Sequence, residues 1–260
     1  MTSATQLPIE TEDLTYLAGG EAILDGLDLA VQRGEIFAVM GRSGTGKTTL
    51  LRLIMGLIPP TSGCIRVNGV DIADLKDHDL DELRRNMGMV FQGAALFDSM
   101  TVSENVAFPL VEHRRLAASQ LAARVSECLD MVDMAGTEDL MPAQLSGGMR
   151  KRVGVARALA LEPHIMLYDE PTAGLDPISA AASDELIRRL RDNVGVTSVI
   201  VSHDVQSLRR VSDRAALLHR GRFLAVGPIE ELEAGSDPAV VQFLSGVHAG
   251  PLTEGDPRNS

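Results

Sequence analysis

The stretch GRSGTGKT, Gly41–Thr48, constrains this chain more than any other. It fits the pattern G-x-x-x-x-G-K-[ST] and follows a short apolar run, Ile36–Met40, that reads as a strand. A helical pattern over Lys47–Leu57 continues from it and is stopped by Pro59-Pro60. In that strand–loop–helix setting, glycines let backbone N–H groups face a phosphate, and the helix N-terminus adds its dipole. Lys47 reaches the terminal phosphates as a point charge, and the Thr48 hydroxyl is a Mg²⁺ ligand. A glycine-rich turn with an accidental lysine is the alternative, which the flanking strand and helix disfavour.

The rest of the chain repeats the strand-then-helix rhythm. Ile65–Val67, Met87–Phe91, IMLYD at 165–169 and Val196–Val201 read as strands. Leu116–Met134 and Ile178–Asn193 read as helices, and TVSE at 101–104 fits a capping box with Thr101 as N-cap. Ala215–Leu218 and Phe223–Val226 flank HRGR, a hairpin turn. The alternation predicts an α/β fold with a largely parallel sheet. Residues from about 94 to 160 hold no strand candidate and read as an inserted helical subdomain. The last ten residues, PLTEGDPRNS, read as a flexible tail.

A second anion cradle lies about a hundred residues downstream. LSGGMRKR, 145–152, places a serine and two glycines ahead of a helix. Its Arg150, Lys151 and Arg152 either tune the field near phosphates or form a solvated helix face. IMLYDEP delivers Asp169 and Glu170 to a strand end, where ligands of open α/β sheets bind. Asp169 suits a Mg²⁺ shell and Glu170 a general base for water; a plain polar strand end is the alternative. By the same placement, His203 in VSHD suits a γ-phosphate contact, or a structural histidine. Gln92, just after a strand, suits Mg²⁺ or the attacking water.

Composition narrows the classes. Net charge is −12 over 260 residues, which argues against a broad nucleic-acid-binding face. Cys64 and Cys128 suggest neither a disulfide framework nor a metal site. The sequence shows no signal-peptide pattern and no apolar run near the roughly 18–20 residues of a membrane span. The expectation is a cytosolic chain whose membrane role comes through a partner.

The order of Gly41–Thr48, Gln92, Leu145–Met149, Asp169-Glu170, GLDP at Gly174–Pro177 and His203 resembles the nucleotide-binding domain of ATP-binding cassette (ABC) proteins, over residues 7–235. The resemblance implies a P-loop NTPase (RecA-like) core, an inserted α-helical subdomain at about 94–160, and an N-terminal antiparallel β region. It also implies one nucleotide-binding domain over 7–246 and a tail over 247–260. By the resemblance, ATP contacts Tyr16, Gly41, Ser43, Gly44, Gly46, Lys47, Thr48 and Thr49, with Tyr16 stacking on adenine. An ordinary strand tyrosine is the other reading of Tyr16. Mg²⁺ falls to Thr48, Gln92 and Asp169, and hydrolysis to Glu170, His203 and Gln92. Family domains pair head-to-tail as homodimers, so Ser146 and Gly148 would cap the ATP held by the other copy. That answers why one chain carries two phosphate loops. The fifth signature position, usually Gln in the family, is Met149 here.

Two stretches point to a branch. FQGAALFDSMTVSENVAFPL at 91–110 and DPAVVQFLSGVHAGP at 237–251 look like the ATPase subunit of Mla-type, MCE-associated lipid transporters. That resemblance implies phospholipid cargo, an integral membrane permease docked near Ala94–Asn105, and an MCE-domain lipid-binding protein in the complex. It implies a peripheral subunit on the cytoplasmic face of the inner membrane, with no nucleic-acid partner. The C-terminal stretch either reaches the second ATPase copy or forms a surface helix with a loose tail. An ABC importer or exporter ATPase for another cargo is the runner-up. A soluble ABC ATPase acting on DNA or ribosomes lacks its usual paired domains, coiled coils or zinc inserts here. A dead regulatory site is disfavoured because every catalytic position is filled.

Overall fold

The computed structural model describes residues 6–114 and 116–253. The chain divides into two units, residues 1–74 with 201–260, and residues 75–200. In the first unit, β1 (Ile9–Ala18) and β2 (Glu21–Val31) form a long antiparallel pair. β3 (Ile36–Met40) follows, buried at every residue, and leads through the phosphate-loop sequence into α1 (Lys47–Ile54). β4 (Ser62–Val67) and β5 (Val70–Asp71) complete a four-stranded antiparallel sheet of order β2-β1-β4-β5. This is the N-terminal antiparallel region that the family resemblance implied.

The second unit begins with α2 (Asp77–Arg85) and β6 (Met87–Val90). Three helices follow with no strand among the described residues: α3 (Val102–His113), α4 (Ala118–Met131) and α5 (Gly147–Leu159). β7 (Ile165–Asp169), parallel to β6, α6 (Pro177–Val194) and β8 (Thr197–Ser202) come next. The strand order there is β8-β7-β6, and the last residues of β8 cross into the first unit. β7 and β8 are buried throughout, as strands covered on both faces must be. Back in the first unit come α7 (Val205–Val211), β9 (Arg214–His219), β10 (Arg222–Pro228), α8 (Ile229–Ala234) and α9 (Pro238–Ser245). β9 is parallel to β3 and antiparallel to β10.

Local chemistry accounts for most of these boundaries. The Thr101 hydroxyl accepts from the Glu104 N–H (3.2 Å) while the Glu104 carboxylate accepts from the Thr101 N–H (2.7 Å), the capping box read from TVSE. Asp176, Asp204 and Asp237 cap α6, α7 and α9 with side-chain oxygens that accept from backbone N–H groups of the first turn. His219 faces Arg222 across a two-residue turn, Arg220-Gly221, with φ of 46° and 79°. Two positive φ values are the geometry that matches strand twist in a tight hairpin.

Residues 251–253, which the sequence assigns to the tail, form a turn in which Leu252 is buried. Residues 254–260 of that tail lie outside the described residues.

Candidate functional site

β3 delivers the phosphate loop. Gly46, the N-cap of α1, has φ 99°, and a Cβ there would lie 2.9 Å from a methyl of Leu24 and 3.1 Å from the Ile23 carbonyl. Glycine is therefore required both by conformation and by the close approach of β2. Lys47 is only 6% exposed, and its ammonium donates to the Gly41 and Arg42 carbonyls at 2.9 and 3.1 Å. The Thr45 hydroxyl also donates to the Arg42 carbonyl, at 2.9 Å. These bonds close the loop on itself while Ser43 and Gly44 stay exposed at its crest. Thr48 and Thr49 sit in the first turn of α1. A glycine-rich loop at a helix N-terminus with a fixed ammonium fits a polyphosphate. Tyr16 pairs in register with Leu24, the residue that touches Gly46, so its strand neighbours the loop. His203 is exposed, just past the end of β8. Tyr16, the phosphate loop and His203 all belong to the first unit.

The second unit carries Gln92, Ser146, Gly148, Asp169 and Glu170. Gln92 is exposed, two residues past the end of β6. Asp169 and Glu170 close the all-apolar face of β7 and are 6% and 8% exposed. Glu170 adopts φ 49°, a left-handed conformation uncommon for a residue with a side chain. Ser146 is the N-cap of α5, its hydroxyl accepting from the Met149 N–H at 3.2 Å. Gly147 and Gly148 follow at the helix start, with nothing of their own unit closer than 3.8 Å to an added Cβ. The nearest groups are Leu175 and Arg150 for Gly147 and Ser179 for Gly148, so the GLDP turn lies beside these glycines.

The three basic residues after the glycines each bind a group of their own unit, with Arg150 exposed and Lys151 and Arg152 half-buried. Arg150 donates to the Leu145 carbonyl (2.6 Å). Arg152 pairs with Asp133 (2.7 Å) and donates to the Val132 carbonyl (3.0 Å). Lys151 donates to the carbonyls of Glu170, Pro171 and Ala173 at 3.3, 2.8 and 2.6 Å. Burial lowers the Lys151 pKa, with the Glu170 charge opposing that shift. Their sequence position shows the helix they ride on but not the carbonyls they reach.

Sequence reasoning missed three further features. Asn105, buried, accepts from the Phe97 N–H (2.8 Å) and donates to the carbonyls of Phe97, Met100 and Thr101. It pins the segment after Gln92. Arg157 of α5 donates to the Ala94 and Ala95 carbonyls (2.8 and 2.7 Å) and stacks 5.9 Å from the Phe97 ring centre. A cleft of about 330 Å³ opens beside them, lined by Phe91, Ala95, Phe97, Phe108, Pro109 and Arg157 among others. The third is Gln242, buried, which accepts from the Leu252 N–H (2.8 Å) and donates to the His248 carbonyl (2.9 Å). The Leu252 carbonyl accepts from Arg42 of the phosphate loop (3.1 Å), so the C-terminal turn reaches that loop. Cys128 is buried, and burial pushes its thiol pKa up to about 11, which leaves it inert.

A strand-borne phosphate loop, parallel strands and an acidic pair at a strand end define a P-loop ATPase. Residues 24–173 match the family model of the ABC transporter, and the chain belongs to that family. It is 43% identical over 94% of its length to "Intermembrane phospholipid transport system ATP-binding protein MlaF" of Haemophilus influenzae, covering 92% of that protein. The Escherichia coli K12 protein of the same name is also 43% identical, with 91% covered. "Probable ribonucleotide transport ATP-binding protein mkl" of Mycobacterium leprae is 40% identical over 94% of this chain and 70% of that protein. Among solved structures, a dimeric ATP-binding cassette in a post-hydrolysis state bound to ADP and Pi matches with TM-score 0.77 at 33% identity. That match covers 85% of this chain and 98% of the other. The cbiO1 protein of Clostridium perfringens matches with TM-score 0.83 at 31% identity, over 88% of this chain and 91% of that one.

Proposed function

We propose that this ABC ATPase drives phospholipid movement through a separate integral membrane permease. The observation that carries the reading is the 43% identity along nearly the whole chain to ATP-binding proteins of intermembrane phospholipid transport systems. No described helix is long and apolar enough to cross a membrane. The permease would dock a helix in the apolar cleft beside Ala94–Asn105, where Arg157 and Asn105 hold the backbone. An MCE-domain lipid-binding protein completes the complex, and the ATPase sits on the cytoplasmic face of the inner membrane.

Two copies pair head-to-tail. Each ATP lies on one copy's Gly41–Thr49 loop, with Tyr16 against the adenine, and is capped by Ser146 and Gly148 of the other. Backbone N–H groups and Lys47 orient the phosphates, Glu170 takes the proton of the attacking water, and His203 contacts the γ-phosphate. Mg²⁺, when bound, neutralises developing phosphate charge, and Thr48, Gln92 and Asp169 would hold it.

A second reading, an ABC ATPase for another cargo, draws on the 40% identity to the mycobacterial proteins named for ribonucleotide transport. The test is to isolate the tagged chain from detergent-solubilised host membranes and identify bound proteins and lipids by mass spectrometry. A multi-span permease with an MCE-domain protein and phospholipid is the expected result. A different permease discards the lipid reading, and no membrane partner at all discards transport.

A further inference from the structure

α5 carries more than the phosphate-capping turn at its N-terminus. One turn in, Lys151 projects its ammonium at the turn that follows β7 and takes three backbone carbonyls, those of Glu170, Pro171 and Ala173. An ammonium has three N–H donors and no acceptor, so the three carbonyls match its hydrogen-bonding capacity. Within the turn, the Ala173 N–H donates back to the Glu170 carbonyl at 3.1 Å, and the Leu175 N–H to the Thr172 carbonyl at 3.2 Å. Glu170 holds its left-handed φ inside this turn, a conformation disfavoured for a residue with a side chain that persists only where the surroundings impose it. The Lys151 ammonium bonds the carbonyl of that very residue.

We infer that Lys151 is a positioning residue for hydrolysis: it fixes the turn that aims the Glu170 carboxylate, and it does so from the helix whose N-terminus carries Ser146 and Gly148. The inference rests on the reading of Glu170 as general base and of Ser146 and Gly148 as a phosphate cap. Its consequence is mechanical. The helix that caps one nucleotide is tied by three hydrogen bonds to the turn that begins at the base acting on the other, so the aim of the base depends on the seat of α5.

The experiment is a donor series in the purified full-length chain: K151Q and K151M. Methionine keeps an unbranched stem of similar length without a donor, and glutamine keeps two N–H donors. Steady-state kcat and KM for ATP are measured for each, with thermal unfolding as a check on folding. The expected result is kcat falling in the order Lys, Gln, Met, with K151M lower by on the order of 10- to 100-fold and KM within about twofold. A role in packing alone would leave the Met chain as fast as the parent, and that result overturns the inference. Should K151M fail to fold, the K151Q comparison decides alone: parental kcat overturns the inference, and reduced kcat at unchanged KM supports it. E170Q serves as the control that separates the two readings. Parental turnover in E170Q removes the base assignment and the inference with it. E170Q without turnover beside K151M at the parental rate removes the inference only. Finally, K151M in the E170Q background is expected to keep ATP-dependent dimerisation; its loss would place Lys151 in the cap rather than behind the base.

Discussion

The two phosphate loops of this chain solve the same problem in opposite ways. Gly41–Thr48 is closed on itself: Lys47 binds two of its carbonyls, Thr45 a third contact, and β2 packs against Gly46. Even Gly41 is enclosed, since a Cβ there would meet the Leu218 carbonyl at 2.5 Å. The Ser146–Gly148 turn is open. It is held by the Ser146 cap on Met149 and by the Arg150 N–H on the Ser146 carbonyl, and Cβ atoms on its glycines would meet nothing of their own unit closer than 3.8 Å. The first loop's glycines are explained from within the chain; the second's are not. Glycines that the chain itself does not require point to an approach from outside, which is what a cap on another copy's nucleotide supplies. On the proposed function, the closed loop binds nucleotide by itself and the open one becomes a site only on assembly.

Breaking the closed loop gives the largest effect. K47A removes the charge and both carbonyl bonds, and loss of ATP affinity by about 100-fold or more is expected from equilibrium binding. Unchanged affinity would mean that Lys47 does not meet the phosphates. Breaking the open loop with S146R is expected to leave nucleotide binding by the separate chain within about twofold while turnover falls by on the order of 100-fold. Mixing S146R with K47A chains sharpens the comparison. With capping in trans, the heterodimer keeps one of its two composite sites intact and regains activity. A mixture as inactive as either parent would instead put the cap on the chain's own ATP.

The same contrast separates what was legible in the sequence from what was not. The closed loop and its strand were readable: Ile36–Met40 is β3 as printed by its apolar run, and the capping box at Thr101 and the hairpin at Arg220-Gly221 follow from local chemistry. The acidic pair at the end of β7 was readable for the same reason, because an apolar strand ending in a charge has one plausible place in a sheet. α2 was not, since it is short, its only apolar residues are Leu80 and Leu83 among charged ones, and it buries no residue. The reach of Lys151, Arg157 and Gln242 was also hidden. Each binds backbone carbonyls outside its own helix, and a carbonyl carries no side-chain signature. Tertiary hydrogen bonds of this kind are where a one-dimensional pattern ends.

The glycines themselves offer a test in stability, with opposite signs expected. G41A forces a carbon against the Leu218 carbonyl at 2.5 Å, and a destabilisation of about 1–3 kcal/mol is expected in thermal or urea unfolding. G148A meets only Ser179 Cβ at 4.0 Å and replaces a poor helix former, so it should stabilise by a few tenths to about 1 kcal/mol while ATPase activity falls. If G148A lowers stability as G41A does, the open turn is constrained by its own chain after all, and the argument for an external approach fails.

The smallest effect concerns Met149. The cap uses its backbone N–H, which donates to the Ser146 hydroxyl at 3.2 Å, and any non-proline residue supplies that donor. M149Q should therefore leave folding intact and shift kcat by no more than about twofold, because the bond that organises the turn is untouched. A gain or loss of tenfold or more would show that the side chain itself reaches the nucleotide. In that case the open turn recognises its ligand through a third group besides the Ser146 hydroxyl and the backbone, and a gain would show that the departure from the family's Gln has a catalytic cost.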